Sequence, residues 1–206
     1  MKSLYAIVNL ESSTEPLPYI EALVASGASV IQLREKRERA RELLEIASAA
    51  VEICRRYDCK LIINDRVDIA MLSKADGVHL GQRDLAPSSI RALAGEKLLV
   101  GLSTHNLEQV RQAQREPVNY LGFGPIFHSA TKSGHAPLCG IELLAEAAEL
   151  STLPLVAIGG INFENAKSAL EAGAKSVAMV SELVLCYNEG SLVDCLGRLH
   201  RQPTVN

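Results

Sequence analysis

Length, composition and charge restrict the class of protein before any motif is considered. The chain has 206 residues, 48% of them hydrophobic, which suffices for one sizeable core, so we predict a single domain over 1–206. The formal net charge of −3 disfavours nucleic acid as a partner, because such surfaces need a basic excess. No apolar run reaches the roughly 20 residues that cross a bilayer, and the first residues lead directly into a strand, so we expect a cytoplasmic protein without a membrane partner.

The cysteines are odd in number and scattered, at Cys54, Cys59, Cys139, Cys186 and Cys195. Without a Cys-x-x-Cys pair they do not resemble a zinc or redox motif. We therefore expect buried or incidental free thiols. The oligomeric state stays open, and a homo-oligomer is compatible with the sequence.

Short apolar, β-rich runs alternate along the chain with longer segments of helical periodicity, as is typical of parallel βαβ units. Eight strands are predicted, at 4–8, 30–34, 61–64, 77–80, 98–102, 120–124, 155–158 and 176–180. Eight helices are predicted, at 19–25, 38–57, 67–73, 89–93, 107–114, 141–149, 165–172 and 192–200. This strict alternation predicts an α/β fold, a closed single (β/α)8 TIM barrel rather than an open sheet.

Helix boundaries have recognisable signals in the sequence. Ser88 and Asn106 are predicted to mark helix N-termini, and Gly27 and Gly173 to follow helix C-termini. The segment 128–140 is rich in Gly, Pro and Ser and is predicted to form a loop over the barrel mouth.

Cationic side chains alternate along the second predicted strand and its extension. Gln32, Arg34 and Lys36 are two residues apart, so in an extended segment they point the same way, towards the barrel interior or its mouth. Buried cations need partners, and an anionic ligand would satisfy both. The alternative is a layer of salt bridges within the barrel.

Two aspartates follow neighbouring strands. Asp65 comes after the third predicted strand and Asp84 shortly after the fourth. Adjacent strands lie about 4.8 Å apart, so both carboxylates can reach one cation, and few hard oxygen ligands suit Mg2+ shared with substrate phosphates. The alternative is structural, with Asp65 as a helix N-cap and Asp84 as a turn residue.

A monophosphate site is predicted on the other side of the mouth. The pair Gly159-Gly160 after the seventh strand and Ser181 after the eighth match the phosphate cradle of many barrels. Ser129, Thr131 and Lys132, in the loop after the sixth strand, carry donors for phosphate oxygens. A solvated polar loop without a ligand would have the same composition.

The histidines offer no triad-like arrangement. His79 is predicted to be a packed barrel residue and His105 to open a helix. His128 and His135, in the loop over the mouth, are the candidates for acid or base groups.

Six motifs together carry a resemblance over nearly the whole chain. They are Gln-Leu-Arg-Glu-Lys at 32–36, Ile-Ile-Asn-Asp-Arg-Val-Asp-Ile-Ala at 62–70, Ala-Asp-Gly-Val-His-Leu-Gly-Gln-Arg-Asp at 75–84, Tyr-Leu-Gly-Phe-Gly-Pro-Ile-Phe at 120–127, Thr131-Lys132, and Val-Ala-Ile-Gly-Gly-Ile at 156–161. In order and spacing they resemble the thiamine phosphate synthase family. That resemblance implies a Mg2+-dependent transferase joining hydroxymethylpyrimidine diphosphate to thiazole phosphate with release of pyrophosphate. Its partners would be these small phosphorylated substrates.

The resemblance also implies residue roles. The diphosphate would be held by Gln32, Arg34, Lys36, Asn64 and Lys132, with Leu33 and Glu35 in the same binding motif. Asp65 and Asp84 would bind Mg2+, and Ser103 would lie near the pyrimidine. The thiazole phosphate would be bound by Ser129, Ala130, Thr131, Gly160, Val180 and Ser181. Arg34, Lys36, Lys132 and Ser103 would be the catalytic residues. The chain has His128-Ser129 where the family loop usually has Pro-Thr.

Two other functions compete with this interpretation. A thiazole tautomerase on the same barrel needs neither metal nor diphosphate, and would leave the aspartates and the cationic motif without a role. A non-catalytic regulator that binds phosphometabolites would keep Gly160 and Ser181 but not need Asp65 and Asp84.

Overall fold

A closed barrel of eight parallel strands organises the protein, seen in a computed structural model that describes residues 4–11, 15–37, 39–128 and 137–200. The strands are β1 Leu4–Asn9, β2 Val30–Arg34, β3 Lys60–Asn64, β4 Gly77–Leu80, β5 Leu99–Thr104, β6 Tyr120–Phe123, β7 Leu155–Ala157 and β8 Ser176–Met179. Each pairs in parallel with the next, and β8 closes the barrel on β1 through pairs such as Leu4 with Val177. The predicted (β/α)8 barrel is confirmed.

Helices lie on the outside of the barrel. They are α1 Pro16–Ala25, α2 Ala40–Arg56, α3 Val67–Ser73, α4 Pro87–Ala94, α5 Leu107–Ala113, α6 Gly140–Leu150, α7 Ala166–Glu171, α8 Ser181–Asn188 and α9 Leu192–His200. Helices α1 to α7 connect successive strands, and α8 and α9 follow the last strand. Within the described ranges, no helix combines the length and the apolar character needed to span a membrane.

The helix after β8 was not predicted. The sequence analysis placed a single helix at 192–200, whereas the structure has α8 before it. Leu183 is fully buried and Cys186 nearly so, while Leu185 is 56% exposed, so α8 packs one face on the barrel. Because α8 starts directly after β8, no connecting loop separates the two elements in the sequence.

The predicted helix boundaries are mostly confirmed. Asn106 caps α5, since its side chain accepts a hydrogen bond from the backbone N–H of Gln109. Gly27 and Gly173 follow α1 and α7 with φ of 102° and 100°, as expected after a helix C-terminus. The prediction for Ser88 is wrong, because α4 already starts at Pro87 and Ser88 lies inside it. Proline suits the first helical turn, where its missing N–H costs nothing.

Two apolar layers surround and fill the barrel. The larger lies between strands and helices and includes Leu33 and Leu61 on the strands and Leu43 on α2. The smaller lies inside the barrel and consists of Tyr5, Ile7, Val30, Ile62, Tyr120, Val156 and Ala178. Side chains on each strand alternate between the two layers. Inward-facing residues near the strand C-terminal ends therefore approach the mouth, where TIM-barrel sites lie.

One prediction about the cysteines is wrong. Cys186 and Cys195 form a disulfide with their Cα atoms 6.7 Å apart. The turn between α8 and α9 brings the two residues together, and this proximity could not be predicted while α8 was missed. Cys54 and Cys59 are buried free thiols and Cys139 is a half-buried one, as expected.

Candidate active site

Two carboxylates meet where β3 and β4 end. Asp65 follows β3 with φ of 61°, and its N–H donates to the carbonyl of His79 on β4 at 2.8 Å. Burial, and next the charge and hydrogen bonding of Asp84, raise the pKa of Asp65 to about 6. The two acidic groups are therefore direct neighbours, as strand adjacency predicted.

The structural alternatives for these aspartates are only partly met. The N-cap position of α3 is occupied by Arg66, for which no side-chain capping hydrogen bond occurs among the described residues, so Asp65 is not the N-cap residue. Asp84 does have a turn role, because its Oδ2 accepts the N–H of Gly81 at 2.6 Å. Two neighbouring carboxylates repel each other, which raises the pKa of one of them. A cation placed between them relieves this repulsion, so the pair binds a cation more tightly than a single carboxylate would.

Two further groups converge on Asp65. The positive charge of Arg34 and a hydrogen bond from the side chain of Asn64 both lower the pKa of Asp65, against the larger effects of burial and Asp84. Arg34 and Asn64 therefore belong to the same corner of the mouth. Within the described ranges, neither Arg34 nor Lys36 forms a salt bridge, so the alternative of a salt-bridged barrel layer finds no support there.

The remaining residues of the second-strand motif lie in different surroundings. Gln32 is 4% exposed and lies inside the barrel, where its Nε2 donates to the hydroxyl of Tyr5 at 3.0 Å. Leu33 is fully buried in the outer apolar layer. The Glu35 side chain is 3% exposed and bound to Arg39. The side chains of Leu33 and Glu35 thus serve packing and loop structure, and any contact of theirs with a ligand would have to come from the backbone.

Ser103 is held at the mouth by two partners. Its Oγ lies 2.9 Å from Nε2 of His79, and its carbonyl accepts a hydrogen bond from Nε2 of Gln82 at 2.6 Å. His79 lies inside the barrel, as predicted, but both of its ring nitrogens are hydrogen-bonded, the other one to Tyr120. The sequence analysis did not predict the hydrogen bonds of His79 to Ser103 and Tyr120. The glycines on β5 and β6 could have indicated them, because a glycine within a strand often marks a close approach of another group.

The loops after β6 and β7 fit tightly at Gly159 and Gly160. Gly160 has φ of 63°, and a Cβ on it would come within 2.7 Å of the carbonyl oxygen of Phe127. The N–H of Phe127 in turn donates to the carbonyl of Gly159 at 2.9 Å. Asn165 holds the turn by donating from its Nδ2 to the carbonyl of Gly160 at 2.9 Å. Glycine is therefore required at 160 for steric reasons.

Backbone donors are available beside this glycine turn. No hydrogen bond to the N–H groups of Gly160 and Ile161 occurs within the part of the chain that the structure describes. β7 and β8 are adjacent, so the start of α8 at Ser181, preceded by Val180, lies next to this turn. A helix N-terminus beside N–H groups that have no partner among the described residues has the geometry that favours an anion.

Five of the predicted residues lie outside the described residues: Ser129, Ala130, Thr131, Lys132 and His135. His128, at the edge of that segment, is exposed. His105 precedes the cap of α5, and its Nδ1 is hydrogen-bonded to the carbonyl of Gly124 at 2.5 Å.

The donor set at the mouth is small. Among the described residues no group of three or more His, Cys, Asp or Glu side chains could hold a metal ion. Asp65 and Asp84 would therefore supply only two side-chain ligands and leave other positions to water or substrate. This partial shell is what Mg2+ usually receives when it binds together with substrate phosphates.

A family model, sequence relatives and a solved structure relate this chain to the same family. Residues 4–183 match the family model described as thiamine monophosphate synthase. A thiamine-phosphate synthase of Persephonella marina is 42% identical over 181 residues, covering 87% of this chain and 86% of the relative. One from Chloroflexus aurantiacus is 45% identical over 165 residues, covering 80% and 76%. A solved structure, thiamine phosphate pyrophosphorylase from Pyrococcus furiosus, superposes with a TM-score of 0.86 at 30% identity, covering 97% and 94%.

Proposed function

Because the chain belongs to the thiamine monophosphate synthase family, we propose that it is a transferase that joins hydroxymethylpyrimidine diphosphate to thiazole phosphate. The products are thiamine phosphate and pyrophosphate. The observation that carries the proposal is the pair Asp65 and Asp84, with the pKa of Asp65 raised to about 6, beside Arg34. Mg2+ would be bound by the negative charges of Asp65 and Asp84, and a diphosphate would be bound by both Mg2+ and the positive charge of Arg34.

The leaving group is assigned to the β2–β4 side. Arg34, Lys36 and Asn64 are proposed to bind the diphosphate with Gln32 beneath them, and Lys132 to join them from the loop after β6. Asp65 and Asp84 are proposed to hold Mg2+, which would neutralise charge on the departing oxygens. Arg34 and Lys36 would stabilise the same charge directly, which is why they are proposed as catalytic.

The bond changes need no general base. The bond between the pyrimidine methylene carbon and the diphosphate oxygen breaks, and the oxygen keeps the electron pair. The thiazole nitrogen then donates its lone pair to that carbon, giving the positively charged thiazolium of the product. No proton is transferred, so a site without an activated Ser, Cys or His is adequate. Ser103, near the pyrimidine, would orient the ring and so the reacting carbon.

The thiazole phosphate is assigned to the β6–β8 side. Its oxygens would accept hydrogen bonds from the backbone at Gly160 and from the start of α8 at Val180 and Ser181. Ser129, Ala130 and Thr131 are proposed to complete this site. This phosphate stays on the substrate throughout, so it needs to be bound but not activated.

The deciding experiment mixes the purified protein with both substrates and Mg2+ and measures thiamine phosphate as its fluorescent oxidation product. We expect product that is abolished by a chelator and restored by added Mg2+. The double variant Asp65→Asn with Asp84→Asn should lose activity by about 1,000-fold or more, because the metal is lost. Asp68→Asn is the matched control, since Asp68 is a nearby exposed carboxylate that pairs with Arg66 outside the site.

The competing functions give different results in the same assay. Isomerised thiazole phosphate without thiamine phosphate would identify a tautomerase. Binding of thiazole phosphate without any turnover would identify a regulator. Product formation that persists in the double variant would contradict the roles given to the two aspartates. We also propose that the reaction takes place in the cytoplasm. A homo-oligomer is compatible with the proposed function, and the molecular mass in solution would test it.

A further inference from the structure

A continuous chain of hydrogen bonds crosses the barrel interior beneath the mouth. Nε2 of Gln32 donates to the hydroxyl of Tyr5 at 3.0 Å, and the Tyr5 and Tyr120 hydroxyls are 2.8 Å apart. The Tyr120 hydroxyl lies 3.1 Å from Nδ1 of His79, and Nε2 of His79 lies 2.9 Å from Oγ of Ser103. The chain therefore links β2, β1, β6, β4 and β5 and ends on a residue of the proposed site.

The barrel is shaped to accommodate this chain. A Cβ on Gly101 of β5 would lie 2.5 Å from Nδ1 of His79 and even closer to the Tyr120 ring, so only glycine leaves room for both rings. Gly122 on β6 likewise lies against His79, at 3.2 Å from its Cε1. Burial raises the pKa of Tyr5 and of Tyr120, so both hydroxyls stay protonated and each has one hydrogen to donate.

Counting donors gives the chain a direction. Tyr5 accepts from Gln32, so its own hydrogen is available for Tyr120. Tyr120 then accepts from Tyr5 and donates to Nδ1 of His79, which leaves the imidazole proton on Nε2 for Ser103. If the chain ran the other way, the buried Tyr5 hydrogen would have no acceptor among the described residues, which costs the desolvation of that group.

The direction fixes what Ser103 presents at the mouth. Its Oγ accepts from His79, and no other contact of this Oγ occurs among the described residues, so the hydroxyl hydrogen is left to point at a ligand. We propose that Tyr120 is a positioning residue that, through His79, makes the Ser103 hydroxyl a donor to an acceptor atom of the substrate, namely a ring nitrogen of the pyrimidine. This proposal rests on the proposed function, which supplies the pyrimidine.

The first test observes the tautomer of His79 directly, without a need for activity. Protein labelled with 15N at histidine is examined by long-range 1H–15N correlation, and the variant His79→Asn assigns the signals of His79. We expect a pyrrole-type nitrogen at Nε2 and a pyridine-type nitrogen at Nδ1. In Tyr120→Phe this preference should be lost, because Nδ1 no longer receives a hydrogen bond. A protonated Nδ1 in the unmodified protein would overturn the proposal.

The second test asks whether Tyr120 acts only through Ser103. Tyr120→Phe should lower kcat/KM for the pyrimidine diphosphate about tenfold, as for one neutral hydrogen bond, and leave KM for thiazole phosphate unchanged. In a Ser103→Ala background the same substitution should have no further effect. An equal loss in both backgrounds would mean a merely structural role and would overturn the proposal.

Tyr19 supplies the matched control. It is a buried tyrosine whose hydroxyl has no hydrogen-bond partner among the described residues, and its ring contacts Tyr187. Tyr19→Phe should change neither the His79 spectrum nor the kinetics. If the unmodified protein forms no thiamine phosphate at all, the proposed function fails, whereas the His79 spectrum still decides the direction of the chain.

Discussion

The two sides of the barrel mouth are built from opposite kinds of groups. On the β2–β4 side, charged side chains lie close together. Burial and the neighbouring Asp84 raise the pKa of Asp65, and the positive charge of Arg34 lowers it in part. On the β7–β8 side, Gly160, Val180 and Ser181 have no charged side chains and offer backbone N–H groups and a helix start. The difference fits two phosphate groups with different fates. One must leave with extra negative charge, whereas the other only needs to be held.

The largest effect is expected from the charged side. Arg34→Ala should lower kcat by about 100-fold to 1,000-fold, because Arg34 would stabilise charge that develops only as the diphosphate departs. KM for thiazole phosphate should change little. Steady-state kinetics with each substrate varied in turn measures both. Arg55→Ala is the control, since Arg55 pairs with Glu52 on α2 away from the mouth. A loss confined to KM of thiazole phosphate would remove the distinction between the two sides.

An intermediate effect is expected from the uncharged side. Gly160→Ala places a methyl group against the carbonyl of Phe127 and should raise KM for thiazole phosphate about tenfold to 100-fold, because the turn must shift away from the phosphate. Gly190→Ala is a matched control: Gly190 has a similar φ of 68°, but a Cβ there would meet no atom of the described residues within 4 Å.

Both glycine variants should lose some stability to backbone strain, of about 1 kcal/mol, but only Gly160→Ala should weaken thiazole phosphate binding. Chemical denaturation separates the two contributions. Equal KM values in the two variants would mean that the turn at Gly160 does not contact the phosphate.

The dependence of metal binding on pH follows from the raised pKa. Mg2+ requires the deprotonated Asp65, so its affinity should be constant above about pH 6 and fall up to about tenfold per pH unit below it. Calorimetric titration with Mg2+ and the diphosphate between pH 5 and 8 measures this. An affinity that does not change across that range would mean that Asp65 is not a ligand.

The smallest effect is on stability without metal. The raised pKa means that the folded state holds the Asp65 proton more tightly than the unfolded chain, whose carboxyl has its ordinary value of 3.8. The stabilisation is complete below pH 3.8 and is lost as pH rises to about 6. The surroundings withdraw the Asp65 carboxyl partly from water, but both aspartates are exposed as whole residues, so solvent screening should keep the loss small. Asp65→Asn carries no charge at any pH, so its free energy of unfolding should rise relative to that of the unmodified protein over this pH interval. Urea unfolding in the presence of chelator measures the difference.

Much of the fold could be predicted because strand patterns are local. All eight strands were found, with ends that differ by at most two residues, and the meeting of Asp65 and Asp84 follows from strand adjacency alone. The helix α8 was missed because it starts directly after β8 without a turn signal. The link from Tyr120 to Ser103 through His79 could not be predicted, because it depends on which residues of different strands reach the same height in the closed barrel. The roles given to Lys132 and its loop remain predictions.

The hydrogen-bonded interior has a consequence for redesign of this scaffold. The outer apolar layer between strands and helices can be varied residue by residue, since hydrophobic side chains of similar volume exchange at modest cost. Tyr5, Tyr120 and His79 are linked by hydrogen bonds, so a single substitution removes one hydrogen-bond partner from a neighbouring polar group inside the barrel. A combinatorial library that alters the specificity of the mouth should therefore hold these three positions constant or exchange them together.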